Sequence, residues 1–413
     1  MRRIAAFAAL CLFAACGPNK AFRVKYPVGK PPQIDPIEKT DKYRLAFVEF
    51  DDQGEMFERG QLAQVLDMIS EARRDAAKIA AASGKDADTL VVTFVHGWKN
   101  NASEKSSNVG RFRDMLAALS NQFDGPTVGI FIGWRGDSLA IPGVKQLTYW
   151  GRRNKSATMP NAHFTETLKQ IMLATRDDSP GVPMFSLMIG HSFGGGLLKA
   201  GTIQTIVNAV LDTPVGREIV WPADLLVFVN EASPAVSSYQ LIETLGRHVE
   251  ARPPCGEGPR GYNPAILSIA SMGDSATLAF FPVAQALSRP FHRLRKYPKA
   301  NELGVERQAS MYYRSAPHSP AFHSHLLDDT DTPAVQAAKR DGCAVFATHV
   351  LSGKEYLFVQ RPGSKNAGPY WVTQMPKTIV ADHGGIFSPE FRSVMIDILL
   401  AQRTLGGTKY IRR

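Results

Sequence analysis

The sequence predicts an α/β fold: a doubly wound, mostly parallel sheet with helices on both faces and a long insertion before its last strand. Three observations predict it. Short uninterrupted apolar runs alternate with longer segments whose apolar residues recur at helical spacing, and this alternation holds from residue 43 to residue 271. It breaks down over residues 276–352, then returns for two more apolar runs and a closing helix. Strands that alternate with helices need crossover connections of one hand, and those place the strands parallel, with both faces covered.

Taken in order, residues 43–50 read as a first strand, and residues 58–83 as a helix with Leu62, Val65, Leu66, Ile69 and Ala72 on one face before Gly84. Residues 89–95 form a strand that runs straight into His96-Gly97-Trp98. A helix over 109–123 follows, then a strand over 127–132 ending in Gly133-Trp134-Arg135-Gly136. Residues 162–174 are the next helix and 183–189 a buried strand; the helix after it ends near Gly216. Further strands are expected at 225–230 and 266–271, with a short helix at 239–247 between them. The excursion over 276–352 shows no clear sheet strand, and a connection of that length suggests a cap or lid. Residues 355–360 and 370–375 look like paired strands, the second being the last of the sheet. Residues 389–402 close the chain, with Phe391, Val394, Met395, Ile398 and Leu399 on one helical face. No internal repeat is visible, so one domain over 41–413 is the economical reading.

The 413 residues are 44% hydrophobic and 21% charged, a balance normal for a chain with a sizeable core. A formal charge of +10 looks basic, yet Lys and Arg are scattered and no basic stripe is interleaved with aromatics. Nucleic acid is therefore not the expected partner, and anionic lipid is the better meaning of the charge. Met1-Arg2-Arg3 followed by a short apolar run has the form of a secretory signal over 1–15, too short to span a bilayer. Its end, Leu12-Phe13-Ala14-Ala15-Cys16-Gly17, resembles a bacterial lipoprotein signal, which implies lipidation of Cys16 and a membrane-anchored envelope protein; Phe13 stands where that pattern prefers Leu, so an ordinary cleaved signal is the alternative. Gly17 lacks the acidic signal associated with inner-membrane retention in some bacteria, which points to the outer membrane. The proline-rich stretch 16–40 then reads as an extended tether. With Cys11 and Cys16 in the signal, Cys255 and Cys343 are left either to form a disulfide or to remain two buried thiols.

Gly190-His191-Ser192-Phe193-Gly194 joins the buried strand at 183–189 to the helix beginning at Gly195-Gly196. A strand turning at once into a helix forces its corner residue into an unfavourable backbone region, and glycines at 190 and 194 remove the collisions there. The pattern G-x-S-x-G in this context resembles the nucleophile elbow of the α/β-hydrolase superfamily, and the resemblance covers nearly all of residues 41–413 except the excursion. Phe94-Val95-His96-Gly97-Trp98 with Gly133-Trp134-Arg135-Gly136 is similar to a bacterial esterase-like group within it.

That resemblance implies Ser192 as nucleophile, followed in chain order by an acid and a histidine. His383, in the loop between the last strand and the closing helix, is the implied base, with His349 as a rival. Asp274, after the strand ending at Ser271, is the implied acid; Glu231, after the preceding strand, is the alternative, and Asp382 is judged too close in sequence to face His383. The amides of Phe193 and Trp98 are the implied oxyanion donors, and Gly97 lets the main chain approach the substrate. Trp98 would wall the acyl pocket, and His96 reads as a loop anchor. His318, His323 and His325 lack the spacing of a metal site, so no metal or organic cofactor is expected. Arg135-Gly136-Asp137 reads as a chance match to an adhesion tripeptide, and the basic run 292–296 as a solvated loop. The expected function is a serine hydrolase acting on small-molecule or lipid carboxylic esters through an acyl-enzyme. Acyl transfer by the same triad is one alternative, and a non-catalytic lipoprotein binding module is another.

Overall fold

Thr89–Val95 and Thr127–Gly133 are buried along all seven residues of each, a pattern that suits a strand covered on both faces. The computed structural model describes residues 21–23, 35–136, 159–176, 182–250, 264–287, 308–349, 353–361, 364, 368–404 and 412–413. Its first half runs β1 (Ile37–Lys39), β2 (Arg44–Glu49), α1 (Gly60–Ser83), β3 (Thr89–Val95), α2 (Ser107–Leu119), β4 (Thr127–Gly133), α3 (Ala162–Thr175), β5 (Met184–His191) and α4 (Phe193–Asp212). Next come β6 (Leu225–Val229), α5 (Ala235–His248), β7 (Ile266–Ser271), a π-helical turn at Ala276–Phe280 and α6 (Phe281–Leu287). The excursion continues through α7 (Gln308–Tyr313), β8 (His325–Asp329), α8 (Pro333–Arg340) and β9 (Ala344–His349). The chain closes with β10 (Glu355–Gln360), β11 (Tyr370–Met375) and α9 (Pro389–Thr404).

The main sheet has eight strands in the order β1-β2-β4-β3-β5-β6-β7-β11, parallel except for the short β1, which pairs antiparallel with β2. Alternate residues of its strands feed two cores. Ala46 and Val48 belong to one core cluster with Leu62 and Val65 of α1, Phe164 of α3, Leu197 of α4 and Leu241 of α5. Leu45 and Phe47, on the opposite side, belong to a second cluster with Phe112 of α2 and with Ile398 and Leu399 of α9. From β3 the chain moves outward to β4; from β5 it moves the other way to β6. The strand order thus reverses between β3 and β5, the place beyond the carboxyl ends of the strands where open α/β sheets bind their ligands.

Two expectations are corrected by the strand pairing. β10 pairs not with β11 but with β8 and β9, in a separate antiparallel sheet ordered β8-β10-β9. The excursion therefore does contain sheet strands. Its Leu327, Tyr356 and Phe358 join the core beneath α9, so the small sheet is packed onto the body. β11 is the last strand of the main sheet, as expected, and pairs in parallel with β7.

The stretch expected as a free tether is docked wherever it is described. β1 lies within it, and the backbone amides of Phe22 and Arg23 both donate to the buried carboxylate of Glu49 at the end of β2. Arg23 is 1% exposed; its guanidinium lies over the Phe47 ring and donates to the Ala102 carbonyl at 2.9 Å. Cys343 is disulfide-bonded, which removes the free-thiol alternative for that residue. Cys255, Cys16, the signal over 1–15, Asp137 and the basic run 292–296 lie outside the described residues. Among the described residues no helix is long and apolar enough to cross a membrane.

Candidate active site

β5 ends at His191 and α4 begins at Phe193, so Ser192 alone makes the corner, with φ 56° and ψ −122°. No L-residue favours that region, and the surrounding glycines are what make it affordable. A Cβ at Gly194 would lie 2.2 Å from the Val95 carbonyl oxygen, and one at Gly190 would lie 2.7 Å from the Gly194 carbonyl oxygen. A Cβ at Gly97 would meet the Cβ of Ser192 at 2.9 Å, so the main chain after β3 runs directly against the serine. The Ser192 N–H donates to the Val229 carbonyl, which ties the corner to β6.

Ser192 Oγ lies 2.9 Å from Nε2 of His383, and Nδ1 of His383 lies 2.9 Å from Oδ1 of Asp274. Each residue leaves the carboxyl end of a strand, β5 for the serine, β7 for the aspartate and β11 for the histidine. Asp274 is fully buried, whereas His383 keeps 30% of its side chain exposed. Burial alone would raise the Asp274 pKa, but the hydrogen bond and charge of His383, with two hydrogen bonds from Thr277, outweigh it and hold the carboxyl below its ordinary value. An acceptor-only carboxylate at Nδ1 selects the tautomer whose Nε2 can take a proton from Ser192.

The loop bearing His383 is held from beneath. Its carbonyl accepts from Nε2 of His191 at 2.7 Å and from Nδ2 of Asn230 at 3.0 Å. Burial pushes the His191 pKa down to about 3, with the nearby His383 adding to it, so that ring is neutral and Nε2 carries its single proton. Asn230 has φ 49° and accepts from the Ser271 amide through Oδ1, linking the ends of β6 and β7 to this loop.

The rivals take other roles. Glu231 is fully buried in a pair with Lys199 at 2.5 Å and also accepts from Ser233 and Ser268, which leaves it committed away from His383. Asp382 accepts from the Gly384 amide on the exposed side of the loop. His349 lies in β9 of the small sheet. His96 is the expected anchor: its Nδ1 donates to the Gly97 carbonyl, its Nε2 accepts from the Trp134 amide, and burial lowers its pKa to about 4. Among the described residues no three His, Cys, Asp or Glu side chains converge as a metal site. His323 donates to the Pro317 carbonyl, and His325 stacks on Trp371. Thr277, His191 and Asn230 were not singled out as site-supporting residues by the sequence; the signal was present only in their places next to strand ends.

Comparison with protein-family models, with curated proteins and with solved structures finds no match. The chemical reading therefore rests on the geometry. A hydroxyl on a constrained corner, an imidazole within hydrogen-bond reach and a carboxylate fixing its tautomer can together generate a nucleophile at neutral pH.

Proposed function

We propose that the protein is a serine hydrolase of the α/β-hydrolase superfamily that cleaves carboxylic esters. The observation that carries this reading is the continuous chain from Ser192 Oγ through His383 to Asp274, with both links at 2.9 Å. Its place at the reversal of strand order, where sheets of this class form their binding crevices, supports it further. Phe280 and Val283, 71% and 60% exposed on the segment that follows Asp274, favour an ester with an apolar portion.

In the proposed reaction Ser192 Oγ forms a bond to the carbonyl carbon as its proton passes to His383 Nε2, and the carbonyl π pair moves to oxygen. The amides of Phe193 and Trp98 receive that oxyanion. Collapse breaks the bond to the alcohol oxygen, which takes the proton from His383. Water then repeats the sequence on the acyl-enzyme, giving the acid and free Ser192. The proposal extends to location: an exported protein anchored through lipid on Cys16, in the bacterial envelope at the outer membrane.

Labelling with a fluorophosphonate probe tests the chemistry. The wild type should label and the Ser192→Ala variant should not, and a panel of p-nitrophenyl esters of graded chain length then maps the acyl preference. Labelling that persists in the Ala variant would move the nucleophile elsewhere; no labelling of either would end the hydrolase reading.

A further inference from the structure

The Asp274 carboxylate has a partner that reaches back into the excursion. Thr277 Oγ1 hydrogen-bonds Oδ2 of Asp274, and on its other side lies Nε2 of His318 at 2.7 Å. All three side chains are buried, and His318 is 4% exposed. A hydroxyl has one proton to give, and an ionised carboxylate can only accept. The Thr277 proton is therefore committed to Asp274, and the N–H of this contact must belong to His318 Nε2.

That assignment leaves Nδ1 of His318 as the acceptor, and the amide nitrogen of Gln374 on β11 stands 3.4 Å from it. The donors thus run in one direction, from Gln374 to His318 to Thr277 to Asp274. Burial pushes the His318 pKa down to about 4; Asp274 opposes this, while His323, Arg314 and His383 add to it. The ring is neutral at ordinary pH, as one-way donation requires. His318 is itself held firmly, in a short turn (Ala316–His318) packed against β7 and β11, with the Pro317 carbonyl accepting from His323.

We propose that His318 is a positioning residue of the reaction: acting through Thr277, it fixes the second oxygen of Asp274 and so keeps His383 directed at Ser192. This rests on the hydrolase reading above. The physical need is rotational. A turn about the Cβ–Cγ bond of Asp274 moves both carboxylate oxygens together; His383 and the Thr277 amide restrain it at Oδ1, and the Thr277 hydroxyl, braced by His318, restrains it at Oδ2. When His383 takes the proton from Ser192, a carboxylate already in place needs no rearrangement. The excursion thereby contributes to catalysis by bracing the acid, a role separate from any covering of the crevice.

The test uses the full chain, p-nitrophenyl butyrate and the fluorophosphonate probe. His318→Phe keeps the ring volume and removes the donor; it should lower kcat roughly tenfold or more with KM little changed. His318→Gln, whose amide nitrogen can stand where Nε2 stands, should recover most of the loss, which a purely packing role would not predict. Thr277→Val should reproduce the His318→Phe defect, Thr277→Ser should recover it, and the double variant His318→Phe with Thr277→Val should be no slower than either single. The threonine series also carries the test should the phenylalanine variant not fold. A wild-type kcat in His318→Phe or Thr277→Val, or strictly additive losses in the double variant, would overturn the proposal while leaving the hydrolase reading intact. A wild type that does not label at Ser192 would remove both.

Discussion

Asn230 grips the main chain of His383 from below: its Nδ2 donates to the His383 carbonyl at 3.0 Å and to the Asp382 carbonyl at 3.2 Å. The loop that carries His383 is thereby bolted to the end of β6. Asn also suits the left-handed backbone at this position, where φ is 49°. Asn230→Asp should keep the backbone and lose the donor, lowering kcat by about tenfold or more with a modest loss of melting temperature. An unchanged kcat would show that His191 alone suffices to hold the loop.

The elbow glycines divide sharply by what surrounds them. Gly194→Ala should abolish soluble expression or destabilise the fold by roughly 3 kcal/mol or more, because its Cβ would lie 2.2 Å from one backbone oxygen and 2.4 Å from another. Gly196→Ala, two residues on in the same helix, meets nothing closer than 3.5 Å and should stabilise by up to about 1 kcal/mol. Urea unfolding of both variants checks the contrast.

Lys199 and Glu231 form an ion pair buried behind the corner at Ser192, with Ser238 accepting from Lys199 and Ser268 donating to Glu231. Lys199→Met should destabilise by about 3–5 kcal/mol, since it strands a buried carboxylate. Removing both charges, as Lys199→Met with Glu231→Leu, should recover much of that loss in urea melts.

Acid should unfold the protein early. His96, His191 and His318 have folded pKa values of about 4, 3 and 4, so between roughly pH 4 and 6.5 the unfolded chain binds protons that the folded chain refuses. Their contribution is complete above pH 6.5 and is lost as pH falls. Glu49 works in the opposite sense: burial raises its pKa to about 7, so its contribution is present at low pH and lost as pH rises through 7. Three groups against one leave stability falling on acidification. Urea midpoints measured from pH 7 to pH 4.5 should decline, and Glu49→Gln should make the decline steeper.

Much of this was legible in the sequence for a physical reason. Buried parallel strands write continuous apolar runs, and the loops that leave their carboxyl ends, carrying Ser192, Asp274 and His383, start from one rim of the sheet. Pairing among the excursion's strands was not legible, because antiparallel partners such as Tyr356 and Thr348 are chosen by tertiary packing and not by order in the chain. His318 was noticed only as a non-ligand. Its partner Thr277 lies 41 residues away, and no local pattern announces a hydrogen bond of that reach. The burial of Arg23 is illegible in the sequence for the same reason, since a proline-rich stretch reads as spacer and nothing local announces that Glu49 accepts its amides.

The docking of Phe22 and Arg23 onto Glu49 shortens the leash. If Cys16 bears lipid, only four residues separate the anchor from Ala21, where the described chain begins, so the slack over those five steps is at most ~18 Å, against roughly 80 Å for a free spacer of some two dozen residues. A body moored that closely would work at the bilayer surface and would reach substrates dissolved in it, whereas material deep in the surrounding fluid would have to come to it.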